Sequence, residues 1–175
     1  MSTVTNDLTT WTVDPDTSTI EFAVRQLVSK ARGRFTSHDV TIVGSADGSN
    51  PFVTATIDLA SVDSGNPRRD GHLRRLMKVE DDSTMTYRST ELRWSNGVWV
   101  IAGELTIHGT TRPVPLTVRA NRFTHDDLGT RRAAISATAQ VSRRDFGITI
   151  PGAAGGVVIG DKISIGLEIR AVREA

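Results

Sequence analysis

An all-β fold, an antiparallel sandwich or closed barrel with one short helix, is what this sequence predicts. Apolar residues recur with period two along most of the chain, turn residues interrupt them at short intervals, and a single segment carries apolar side chains at helical spacing. Period-two spacing puts alternate side chains on opposite faces of a sheet, so each such run reads as a strand with one face buried.

In chain order, residues 1–10 are polar and read as a short loose arm. Ile20, Phe22 and Val24 then alternate with Thr19, Glu21 and Ala23, and weaker strands follow around Phe35 and from Val40 to Val43. After the turn residues Asp47-Gly48-Ser49-Asn50-Pro51, Val53, Ala55, Ile57 and Leu59 alternate with Thr54, Thr56 and Asp58. Asn66 as cap and Pro67 at the first helical position open the helix, with Leu73, Leu76 and Met77 on one face. Gly71 inside it costs about 1 kcal/mol relative to Ala.

Ser95-Asn96-Gly97 between Arg93-Trp94 and Val98-Trp99 is a hairpin signal, because Asn-Gly suits the positive φ angles of a tight turn. The stretch from Trp99 through Leu105 and Ile107 has apolar residues on both faces near its start. Val114, Leu116, Val118 and Ala120 form the next ridge. The loop from His125 to Gly129 separates it from Ala133, Ile135, Ala137, Ala139 and Val141, and Ile163, Ile165, Leu167 and Ile169 form the last. About eight to nine strands result, an arrangement that suits antiparallel sheets with water outside.

The inward ridges are short of volume. Ala55, Ala120, Ala133, Ala137 and Ala139 add little bulk, and aromatic residues are 5% of the chain. An eight-stranded barrel is either just filled by its side chains or able to hold one small ligand. Two readings stay open: a guest occupies the middle, or small residues oppose Trp99 and Phe22 to fit a taper.

Composition narrows the chemistry. At 175 residues the chain suits one domain, and without cysteine it has no disulfide scaffold, no Cys-based metal centre and no thiol nucleophile. A net charge of +1 argues against a nucleic-acid partner, and no run approaches the roughly 20 apolar residues of a membrane span. With no basic, apolar leader pattern at the start, a cytoplasmic protein is expected. His38, His72, His108 and His125 fall in no metal-ligand spacing, and there is no Gly-x-Ser-x-Gly elbow, so neither metal nor cofactor is expected. Gly152 to Gly160 lacks the Lys-Ser/Thr ending of a phosphate loop and reads as a loop at a barrel mouth. Arg68, Arg69, Arg74 and Arg75 are the densest basic cluster. They read as a phosphate contact or as a solvated helix face partnered by Asp70 and Glu80.

Five ordered motifs carry a resemblance from Trp11 to about Val172. They are Trp11-Thr12-Val13-Asp14-Pro15 with Ser18, Ile20 and Phe22; Gly33-Arg34-Phe35; Ser61 to Asn66 with Arg69-Asp70-Gly71-His72-Leu73; Gly103 to Val114; and Arg144-Asp145-Phe146-Gly147. Together they resemble the YceI-like, polyisoprenoid-binding family. Where that family often has a Pro and a Phe before a Ser-Thr pair, this chain has Ser83 and Tyr87 ahead of Ser89-Thr90, with Met85 between them.

The resemblance implies a lipocalin-like antiparallel eight-stranded β-barrel with a helix packed against it, over residues 11–175 as one domain. Its apolar channel would hold a long-chain isoprenoid, an isoprenoid quinone or a similar lipid for binding, storage or transport, without catalysis. The side chains expected on that ligand are Phe22, Val24, Val53, Ala55, Ile57, Leu73, Leu76, Tyr87, Trp99, Ile101, Leu105, Leu116, Val118, Ile135, Ala137, Ala139, Phe146, Ile165 and Leu167. Arg69 and Arg74 are the head-group candidates. Two alternatives remain: an enzyme using His72 or His108 as acid–base on a hydrophobic substrate, and a stress-response interaction protein with a packed barrel. An exposed edge or helix would also suit a homodimer.

Overall fold

The structure, a computed structural model, describes residues 8–26, 29–45, 51–80, 82–148 and 159–173. The chain forms β1 (Leu8–Val13), β2 (Thr19–Gln26), β3 (Ser29–Phe35), β4 (His38–Ser45), β5 (Phe52–Asp58), a 3-10 turn at Leu59–Ser61 and β6 (Val62–Asp63). The helix α1 (Pro67–Leu76) leads to β7 (Thr84–Ser95), β8 (Val98–Ile107), β9 (Thr110–Pro113), β10 (Leu116–His125) and β11 (Arg131–Ser142). A 3-10 turn at Arg143–Phe146 and β12 (Ile159–Arg173) complete it.

Eight strands close into an antiparallel barrel in the order β1-β4-β5-β7-β8-β10-β11-β12, sealed where Thr12 and Val13 of β1 pair with Val172 and Ala171 of β12. The eight-stranded barrel with one helix is therefore the fold. Long β12 has a second role. Its earlier residues, Ile163 to Glu168, pair with β2, so β2, β3 and β6 flare from the ring at one end.

The described residues contain twelve strands rather than eight or nine. The extra ones are short or polar, as in Thr110-Thr111-Arg112-Pro113 of β9, and so carry no apolar alternation. Residues 8–10 belong to the sheet rather than to a loose arm: β-branched Thr9 and Thr10 suit a pleat, and the Thr9 hydroxyl donates to the Gly44 carbonyl at 3.2 Å. The glycine-rich segment 152–158 and the turn residues 47–50 lie outside the described residues. Asn96 and Gly97 do take positive φ, 50° and 80°, as a tight Asn-Gly hairpin turn requires.

Irregularities in β7 and β10 change what faces inward. Register shifts between Ser89 and Glu91 in β7 and between Val118 and Ala120 in β10. One inserted residue reverses the alternation beyond it. Ala120, expected on an inward ridge, is therefore exposed, and Phe123, opposite Ala133, shares the inner face instead. It meets buried Trp11 edge-on with ring centroids 6.2 Å apart.

Helix α1 starts where expected. The Asn66 side chain accepts from the N–H groups of Arg68 (3.1 Å) and Arg69 (3.2 Å), satisfying two donors that the first turn leaves open. Leu73 and Met77 pack on the core, each contributing up to about 1.5–3 kcal/mol if fully withdrawn from water. Arg74 ties the helix to the chain below it, donating to the carbonyls of Ala60 (2.9 Å) and Val62 (3.4 Å).

Candidate functional site: a two-chambered lumen

The barrel axis is hollow in two places. An inner chamber of about 120 Å³ lies within the ring, walled by Val53, Ala55 and Ile57 of β5, Ile101 and Leu105 of β8, Leu116 of β10, Ile135, Ala137 and Ala139 of β11, and Leu167 of β12. An outer chamber of about 160 Å³ lies in the flare, roofed by Leu73 and Leu76 of α1 and by Met77 just after it, and walled by Phe22 and Val24 of β2 and Ile163 of β12. Phe35, Met85, Leu105, Val141 and Ile165 line both and form the collar where the chambers meet.

Among the described residues the inner wall carries one polar side chain, Tyr87. Its hydroxyl donates to the Val114 carbonyl at 2.9 Å. Burial pushes that phenol upward, so it stays a neutral donor. The outer chamber differs at its rim. Arg32, Arg69, His72 and Arg143 line it, and among the described residues no carboxylate does. Arg143 is buried, its guanidinium donating to the carbonyls of Gly160 and Ile148, both at 3.1 Å. Arg32, Arg69 and His72 are exposed.

Of the side chains expected on a ligand, most line one chamber or both. Trp99, Val118 and Phe146 line neither. Trp99 is 40% exposed and lies edge-on to Trp94, centroids 5.1 Å apart, because the β7–β8 hairpin runs past the end of the ring. Val118 is half-buried opposite Ala137, at the register shift. Phe146 is buried in its 3-10 turn. Of the head-group candidates, Arg69 is at the outer rim, whereas Arg74 is turned to the Ala60 and Val62 carbonyls.

The sequence points to Leu105 and Ile165 of the collar and to Arg69 and His72 of the rim, but not to Phe35, Met85 and Val141, nor to Arg32 and Arg143. Phe35 sits in a strand too polar to show a ridge, and Met85 is one apolar residue among hydroxyls. Arg32 and Arg143 lie far apart in sequence, and only the fold brings them to one rim.

The histidines divide. His72 lies exposed at the outer rim. His108, in the β8–β9 turn, is hydrogen-bonded through Nε2 to the Met77 carbonyl and holds the end of α1. Among the described residues, no three histidine or carboxylate side chains gather as a metal site would require, and no helix is long and apolar enough to cross a membrane.

Comparison with known proteins agrees with this architecture. The sequence model of the YceI-like domain matches residues 11–171. A UPF0312 protein of Serratia proteamaculans is 34% identical over 134 residues, covering 74% of this chain and 70% of the relative. Another, from Vibrio cholerae, is 33% identical over 143 residues, covering 78% and 75%. Among solved structures, Burkholderia cenocepacia BcnA superposes with a TM-score of 0.75 at 17% identity, covering 90% of this chain and 98% of that one. A polyisoprenoid binding domain from Saccharophagus degradans gives 0.65 at 17% identity, covering 96% and 99%. At such identities the structural likeness is one of fold. The sequence match spans the barrel from the strand that seals the ring to the strand it is sealed against, and on that ground this chain belongs to the YceI-like family.

Proposed function

We propose that this protein is a non-enzymatic binder of a long apolar chain, of isoprenoid or similar lipid type, held along the barrel axis. The single observation that carries this reading is the pair of apolar chambers in series, joined at a collar of five side chains. The solved polyisoprenoid binding domain of like fold supports it.

The energetics suit an uncharged tail. Each methylene withdrawn from water contributes about 0.8 kcal/mol, so a few isoprene units supply useful affinity without any polar contact. A cavity of about 150 Å³ takes up a benzene-sized guest, so each chamber suits roughly one five-carbon unit. A longer chain passes the collar, where Met85 is the most flexible side chain and the one best able to move aside. The polar end then lies at the outer rim among Arg32, Arg69 and His72, where an anionic or electron-rich head finds donors and, among the described residues, no opposing carboxylate. His108, engaged at the helix end and absent from both chamber walls, is poorly placed for acid–base work.

Native mass spectrometry of the purified protein before and after organic extraction tests this. The expected result is a bound lipid that extraction removes and that added geranylgeraniol replaces. Failure to hold any added prenyl alcohol after extraction, with the fold intact, would overturn the reading.

A further inference from the structure

We infer that the end of the barrel remote from α1 is a docking surface for an anionic lipid bilayer. Strand β8 fixes the two ends. Ile107 leads to His108, which is bonded to the C-terminal end of α1, while Trp99 lies eight residues earlier, roughly 25 Å away along an extended strand. At that remote end two neighbouring hairpins project. Leu116 and Thr117 of β10 pair with Ile101 and Val100 of β8, so the rest of the β10–β11 hairpin continues past the ring beside Trp99.

Both hairpins carry apolar side chains into water. Trp94 is 61% and Trp99 40% exposed on the first; on the second Leu128 is 87% exposed, and Phe123 remains 61% exposed although its ring also meets Trp11. One exposed apolar residue is ordinary; four on two adjacent projections suit a surface that is covered in use. The same hairpins carry Arg93, Arg119, Arg122, Arg131 and Arg132 against Glu91, Asp126 and Asp127. Asp126 is occupied within its turn, accepting from the N–H groups of Leu128 (2.9 Å) and Thr130 (3.0 Å). Tryptophan with arginine is the composition that settles at a bilayer interface, rings among the head groups and guanidinium groups on phosphate. A second copy of this chain would bring the same arginines against one another, whereas an anionic leaflet complements them.

Position adds a reason. Trp99 is two residues beyond Ile101 on the same face of β8, and Ile101 lines the inner chamber, so the aromatic rim continues that wall. The inference does not require any particular guest in the lumen, and the variants that test it leave the walls of both chambers unchanged.

Co-sedimentation with vesicles tests it, comparing phosphatidylcholine alone with an equal mixture of phosphatidylcholine and phosphatidylglycerol. Wild type is expected to pellet with the mixed vesicles, far less with the neutral ones, and less at high salt. The double variant Trp94→Ser, Trp99→Ser should lose roughly tenfold or more in partitioning. Arg122→Gln and Arg132→Gln should each lose about fivefold. All should keep the wild-type melting temperature and the wild-type response to added geranylgeraniol. No pelleting of wild type on anionic vesicles at low salt would overturn the inference, as would unchanged pelleting of the double variant. So would a dimer in sedimentation velocity that the double variant dissolves while vesicles go unbound.

Discussion

The phenol ring of Tyr87 occupies the space in which a side chain on Gly103 would begin. A Cβ at Gly103 would collide with Oη and Cζ of Tyr87 and stand 2.8 Å from the Arg88 carbonyl. The bare glycine lets the ring cross β8, so that its hydroxyl donates to the carbonyl of Val114, between β9 and β10, whose own N–H donates to the Gly103 carbonyl at 2.9 Å. Gly103→Ala is therefore expected to destabilise by about 1–3 kcal/mol, and Tyr87→Phe by about 1 kcal/mol for the lost hydrogen bond. The two effects should not add, because both act on one contact. Urea denaturation of the single and double variants measures this, and a Gly103→Ala protein as stable as wild type would refute the close fit.

Met85 is one of the five side chains of the collar, and shortening it should widen the passage between the chambers. Met85→Ala is expected to cost about 2–5 kcal/mol, the range for removing a large core side chain. The enlarged lumen should shift preference toward longer prenyl alcohols in a competition series read by native mass spectrometry. Met85→Leu, which nearly conserves volume, should cost under about 1.5 kcal/mol and leave the preference close to wild type. A chain-length preference that Met85→Ala does not move would show that the collar does not control entry.

Arg69 and Arg74 should separate in experiment. Arg74 serves the fold: its donors meet the Ala60 and Val62 carbonyls, so Arg74→Gln should cost about 1.5–3 kcal/mol and leave ligand affinity unchanged in the folded fraction. Arg69 is exposed at the outer rim, and Arg69→Gln should change stability by no more than about 0.5 kcal/mol. It should weaken binding of a prenyl phosphate while sparing the matching alcohol. Equal loss of both ligands in Arg69→Gln would remove the head group from this rim.

What could be read from the sequence follows from which physical signals are local. The Val53-Ala55-Ile57 and Ala133-to-Val141 ridges showed through alternation, and α1 showed through Asn66 and Pro67, because each signal lies within a few residues. The register shifts in β7 and β10 did not. Only the partner strand's register reveals that Phe123 rather than Ala120 shares the inner face. Trp99 shares the parity of Ile101, which puts it on the inward face of β8; the ring's end, set by how far β10 pairs with β8, leaves it outside the lumen. The collar gathers five side chains from β3, β7, β8, β11 and β12, a juxtaposition that no local spacing encodes.

Asp70 should make the loop before the helix acid-sensitive. Its Oδ1 accepts from both the N–H (2.8 Å) and the hydroxyl (2.6 Å) of Ser64, and the side chain is buried. The Ser64 hydroxyl first, then its N–H and the nearby Arg74 and Arg69 charges, hold the carboxyl below its ordinary value of 3.8. The native state thus binds the proton less readily than the unfolded chain. The stabilisation is fully present above the ordinary value and is lost as pH falls through the lowered native one. Asp70→Asn keeps an acceptor oxygen but no charge, so it should be less stable than wild type at neutral pH. Its melting temperature should also fall less between about pH 5 and 2. Parallel profiles for the two proteins would move the acid sensitivity to Asp14 and Asp161, whose carboxyls are lowered in the same sense by the hydroxyls of Thr17 and Ser142.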